Sequence, residues 1–211
     1  MLTHPGTHDA RLSATPPLAE AAGLRLAPID TYRGFWLALL RSAYRRLFGK
    51  VMMPLRVLFP RIPGYAFAHL CLISFMGLGL RLPRQLTHML SIRISRNNGC
   101  SFCCDAHQAA FVLDKAYPGA LHAALLALDD PTLDPRTRAV LAYADEVVDH
   151  GNVSDATFAA LMTHFDERQV AEVVWLAAFV TYTNMLARPL GIGSDGLCAL
   201  AQRKPRRTDR A

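Results

Sequence analysis

The sequence lacks the alternating Val, Ile and Thr runs from which strands are built, and its apolar residues fall instead in long stretches rich in Ala and Leu. Local propensity therefore excludes a sheet protein and points to an all-α fold. Charge is also sparse, 19% of residues against 52% hydrophobic, so the 211 residues can bury one sizeable core. The amino terminus lacks a basic patch followed by an apolar run; it carries His4, Pro5, Asp9, Pro16, Pro17 and Pro28 instead. No export signal is expected. Cysteine is scarce at five residues, and an odd number in which two lie three apart beside a histidine does not suit a secreted disulfide framework. Those thiols read as reactive or metal-binding groups in a reducing cytoplasm.

Acid is the most unevenly missing residue type. From Thr31 to Gly99 there is no Asp or Glu against eleven Arg or Lys, whereas Asp105 to Glu172 holds twelve acids and four bases. The two halves are electrostatically complementary and are expected to pack against each other, within a subunit or between subunits. A basic surface for nucleic acid or anionic lipid is the rival reading. Neither a nucleic-acid partner nor membrane contact is expected.

The chain divides into a flexible arm over residues 1–30, a helical domain over 31–192, and a basic carboxy-terminal tail over 193–211. A basic amphipathic helix is expected from Tyr32 to Leu47, with Phe35, Trp36, Leu39, Leu40 and Tyr44 at helical spacing. Ile62 to Leu80 runs for nineteen residues without a charge. That length just suffices to span a bilayer, but His69, Ser74 and the glycines favour a buried core helix. Pro83 opens a helix to Arg96, which Asn97-Asn98-Gly99 breaks. Further helices are expected from Cys100 to Lys115, over Ala120 to Leu128, and from Arg136 to His150 behind the Asp134-Pro135 cap. Ser154 caps another to His164, and Asp166 opens a long one through Leu186.

The chemistry concentrates in Cys100-Ser-Phe-Cys103-Cys-Asp-Ala-His107. On a helix, residues three apart have Cα atoms about 5 Å from each other, within disulfide range. His107 lies four residues after Cys103 and seven after Cys100, so these three share one face, and Cys104 and Asp105 point elsewhere. A helix amino terminus and a nearby imidazole favour thiolate over thiol. Cys103 is then able to attack a hydroperoxide, Cys100 to condense with the resulting sulfenic acid, and His107 to move the proton. Zinc suits the set poorly, since it wants four ligands and Cys104 projects off the shared face. Cys71 and Cys198 read as small packed hydrophobes.

The run Ser95-Arg-Asn-Asn-Gly-Cys-Ser-Phe-Cys-Cys-Asp-Ala-His-Gln-Ala-Ala110 resembles the Cys-x-x-Cys-x-x-x-His segment of the alkylhydroperoxidase D and carboxymuconolactone decarboxylase superfamily. The resemblance extends from Phe59-Pro-Arg-Ile-Pro through Arg136-Thr-Arg-Ala-Val-Leu-Ala-Tyr-Ala to the stretch from Phe165 to Ile192. It implies an all-helical, oligomer-forming domain, in trimers or hexamers, and a haem-free peroxidase or disulfide reductase with no cofactor or metal. It makes Cys103 the peroxidatic thiol, Cys100 the resolving thiol and His107 part of a proton relay, and it places Asn184 near the pocket. The implied partners are a small-molecule hydroperoxide and a dithiol or protein reductant. One position departs from the family: a Glu usually stands twelve residues before the first motif cysteine, and here that residue is His88, able to relay a proton but of opposite charge when ionised. Two other readings remain, a lyase acting on a carboxylated lactone and a non-enzymatic oligomeric binding protein. The paired cysteines argue against the lyase.

Overall fold

The computed structural model describes residues 23–30, 34–77, 79–114 and 133–203, and among them every regular element is helical. In chain order these are α1 (Phe35–Phe48), α2 (Pro54–Val57), α3 (Pro63–Gly77), α4 (Arg84–Asn97), α5 (Ser101–Leu113), α6 (Pro135–His150), α7 (Asp155–His164) and α8 (Glu167–Ala187). A single 3-10 turn over Arg188–Leu190 and α9 (Leu197–Arg203) complete the list. The helix expected over Ala120 to Leu128, most of the amino-terminal arm and the end of the tail lie outside the described residues.

The helix starts follow from local chemistry. Asp134 caps α6 by accepting the Thr137 N–H, with Pro135 at the first helical position. Ser154 does the same for α7 through the Thr157 N–H. Asp166 and Gln169 form a reciprocal capping box at the head of α8.

The main core is built on α4. Leu82, Leu86, Leu90 and Ile94, four residues apart, form one stripe against Val140, Tyr143 and Ala144 of α6, Leu161 of α7, and Val173, Leu176 and Val180 of α8. The expected attraction between the basic and acidic halves appears at this seam. Arg93 of α4 forks onto Asp145 of α6 through Nε and Nη2 at 2.6 and 2.9 Å, and Asn97 donates to the same carboxylate at 2.6 Å. The carboxylate of Glu172 on α8 accepts the backbone N–H groups of Arg81 and Leu82 at 2.8 and 2.9 Å, fixing the entry to α4.

Two expectations are corrected. The charge-free stretch forms α3, but as a surface helix rather than a buried one: Ala66 is buried, while Tyr65 and Phe67 are 69% and 46% exposed. A helix apolar all round buries only the side that meets a neighbour, and here that side meets α1 and, through His69, Phe179 and Tyr182 of α8. The burying face of α1 is likewise rotated from the expected one. Leu37, Leu40 and Tyr44 pack with Leu55, Phe59 and Ala66, and Phe35, Trp36 and Leu39 face outward. The longest helix, α8, is apolar and long enough to cross a membrane by composition, yet half of that window is buried inside the fold.

Residues 193–203, expected as the start of a basic tail, carry α9, which packs along α5 with Leu197 and Ala201 buried. Residues 23–30 also join the fold, through the N–H of Arg25 to the Leu190 carbonyl at 3.0 Å and that of Ile29 to the Arg56 carbonyl at 2.8 Å.

Candidate active site

The turn between α4 and α5 sets the first cysteine. Asn98 and Gly99 donate to the Ile94 and Arg96 carbonyls, and Cys100 N–H reaches back to Ser95 at 2.8 Å. Gly99 sits at φ +66, the left-handed region, where a side chain is strained. Cys100 is the N-cap of α5, and its sulfur accepts the Cys103 backbone N–H at 3.3 Å. Ser95 and Asn184, both fully buried, join α4 to α8 by a side-chain hydrogen bond of 3.3 Å directly before this turn.

Cys100 and Cys103 are bonded as a disulfide, with Cα atoms 5.3 Å apart. Both are almost wholly buried, in a cluster with Ala109 of α5, Ala187, Ile192, and Leu197 and Ala201 of α9. The remaining described cysteines are free. Burial pushes the Cys104 thiol up to about 11, so it stays protonated at neutral pH; its sulfur faces the Ile92 carbonyl. Asp105, the other residue expected off the cysteine face, turns toward α9 and accepts the N–H groups of Asp195, Leu197 and Cys198.

His107 is pushed down to about 4, chiefly by burial and further by the charge of His88, so it is neutral at pH 7. His88 on α4 is also lowered by burial, opposed by Asp114 and assisted by Arg84. Its Nε2 lies 3.5 Å from Asp114 Oδ2, and its ring meets Phe111 edge-on at 5.4 Å between centroids. His88 and Asp114 border an open cleft of about 600 Å³, together with Arg84, Thr87, Leu80 and Leu113.

Thus the structure joins the two motif cysteines and brings His88 under the electrostatic reach of His107, but the cysteines do not line the cleft; His88 does. Asp114 is the site residue that sequence reasoning passed over. A signal existed: Cys103, His107, Ala110 and Asp114 follow one another at steps of four, three and four along α5, which is one helix face. Among the described residues no group of three or more His, Cys, Asp or Glu is arranged to hold a metal ion.

The family model of the carboxymuconolactone decarboxylase family matches residues 67–146, from α3 through α4 and α5 into α6. No curated protein matches the chain. Among solved structures, a putative antioxidant defence protein AhpD from Agrobacterium tumefaciens is 20% identical, covering 64% of this chain and 94% of that one with a TM-score of 0.57. A peroxidase-related protein from Ralstonia eutropha with an alkylhydroperoxidase AhpD core is 23% identical, covering 85% of this chain and 100% of its own at a TM-score of 0.63. A variant of the debrominase Bmp8 in complex with 2,3,4-tribromopyrrole is 14% identical and covers 87% of this chain and 98% of its own at a TM-score of 0.72. At these identities the solved structures speak for the fold, an AhpD-like helical one, and the family match makes the segment from α3 into α6 similar to the carboxymuconolactone decarboxylase family.

Proposed function

We propose that this protein is a thiol-dependent hydroperoxide reductase that cycles Cys100 and Cys103 between dithiol and disulfide. The observation that carries the reading is the bonded pair at the head of α5, with one sulfur accepting the helix N–H of the other residue. Reduced, both sulfurs sit at the head of α5, whose positive end stabilises a thiolate, and the resemblance gives the attack to Cys103. The Cys103 thiolate attacks the distal oxygen of the hydroperoxide and breaks the O–O bond, giving a sulfenic acid and an alkoxide that takes a proton to leave as alcohol. The Cys100 thiol then attacks the sulfenic sulfur and expels water, forming the disulfide. A dithiol, small or protein-borne, supplies the two electrons and two protons that restore both thiols. His107, neutral at pH 7, accepts and returns the proton, and His88 at the cleft wall serves the same relay.

The working form is a homo-oligomer, a trimer or hexamer. The support is the outward apolar face of α1 and α3, where Phe35, Trp36, Tyr65 and Phe67 are each more than two-fifths exposed.

The test is substitution. Cys103→Ser should abolish turnover of an organic hydroperoxide, and Cys100→Ser should arrest Cys103 as a sulfenic acid. Turnover of a carboxylated lactone that survives both substitutions would replace this reading with the lyase. Debromination of tribromopyrrole by the dithiol form, without peroxide turnover, would move the same cysteines to reductive dehalogenation.

A further inference from the structure

The resemblance leaves the relay without its usual carboxylate, because His88 stands in that place. The structure offers a carboxylate from a different element. Asp114 is the C-cap of α5, held there by its N–H to the carbonyls of Ala110 and Phe111. Its side chain is only 9% exposed, and it faces His88 Nε2 at 3.5 Å and Arg84 Nη1 at 3.6 Å, both from α4. It borders the cleft, and it ends the face of α5 that begins at Cys103 and passes through His107.

We propose that Asp114 is the positioning carboxylate of this site, fixing His88 so that the pair carries protons between the cleft and His107. A carboxylate at Nε2 holds the neutral ring with its proton on that nitrogen and leaves Nδ1 as the acceptor, which makes His88 a base of fixed direction. Arg84, at 3.6 Å, offsets part of the Asp114 charge in this largely buried position. The charged or titratable groups bearing on His88 among the described residues are Arg84 on its own helix and Asp114 and His107 from α5. The other helices packed on α4 direct their acids elsewhere: Asp145 of α6 to Arg93 and Asn97, and Glu172 of α8 to the Arg81 and Leu82 amides and to Arg168.

The rate arm of the test rests on the reductase reading, and the titration arm does not. In the full chain, NMR titration of the His88 ring should show its pKa falling in Asp114→Asn, because the carboxylate that favours the charged ring is gone, and returning toward wild type in Asp114→Glu. With an organic hydroperoxide, formation of the Cys100–Cys103 bridge in Asp114→Asn should slow by about tenfold near neutrality, the lower end for loss of such a partner. The acid limb of its pH profile should move to lower pH. In a His88→Asn background Asp114→Asn should add no further loss, whereas a purely structural role would add its own. An unchanged His88 titration, or losses that add in the double variant, overturns the proposal. A wild-type protein that forms no bridge with peroxide removes the reductase reading alone, and the His88 titration still decides the role of Asp114.

Discussion

Leu197 donates its backbone N–H to Asp105 Oδ2 at 2.8 Å, across ninety-two residues of sequence. The same carboxylate accepts Asp195 and Cys198 N–H groups, while the Asp195 side chain accepts the Met53 N–H and pairs with Lys50 at 3.0 Å. The segment from Ile192 to Ala201 is thereby strapped over the helix that carries the disulfide, and this strap is one reason both sulfurs are buried. Asp105→Ala leaves three amides, two of them buried, without their charged acceptor and should cost about 3 kcal/mol, within the range for hydrogen bonds to charged groups. Thermal unfolding measures that loss. Reduction of the bridge by a small dithiol should become faster in the same variant, and an unchanged rate would mean that the strap does not guard the sulfurs.

The acid side of the stability curve follows from the imidazoles. His107 titrates near 6.5 when unfolded and near 4 in the fold, and His69 and His88 are lowered as well. The unfolded chain therefore binds more protons between those values, so stability should fall as pH drops from about 6.5 toward 4. Melting temperatures across that window should show a slope in the wild type that His107→Gln makes shallower.

Gly99 forms the turn between α4 and α5, at φ +66, where an added side chain would meet only the Arg188 guanidinium at 3.9 Å, an ordinary contact. Strain rather than collision sets the effect of a substitution there. Gly99→Ala should destabilise by about 1 kcal/mol, read by chemical denaturation, and should shift the placement of Cys100 enough to slow bridge formation.

The assembly claim concerns α1 and α3. Trp36 and Phe67 meet across the two helices with tilted rings, 5.4 Å between centroids, while both remain more than two-fifths exposed. Phe67→Glu puts a charge on that face without emptying the core, so it should lower the sedimenting mass while leaving the helical signal intact. An unchanged mass would place the subunit contact elsewhere.

What could be read from the sequence was what local chemistry decides. The caps at Asp134, Ser154 and Asp166 marked three helix starts, and the spacing of Cys100 and Cys103 put the two within reach of a disulfide. The face of α1 was misread because apolar residues lie on more than one side of it, and periodicity does not tell which side finds Leu55 and Phe59. The exposure of α3 was hidden for a related reason: an apolar helix states what it is able to bury, not how many neighbours it meets. Asp105 and Asp114 were silent because their partners come from α9 and α4, and a lone acid in a helix gives no sign of a distant amide or imidazole. Even so, Asp114 continued a stripe already marked by Cys103 and His107.

The most direct measurement is peptide mapping of the reduced protein after a brief pulse of an organic hydroperoxide. One bridge, Cys100 to Cys103, should form for each peroxide consumed and reopen with a dithiol, while Cys104, held as a thiol by its burial, stays unmodified. Peroxide left intact with both motif thiols free, or oxidation appearing first at Cys104, would contradict the assignment of redox chemistry to the head of α5.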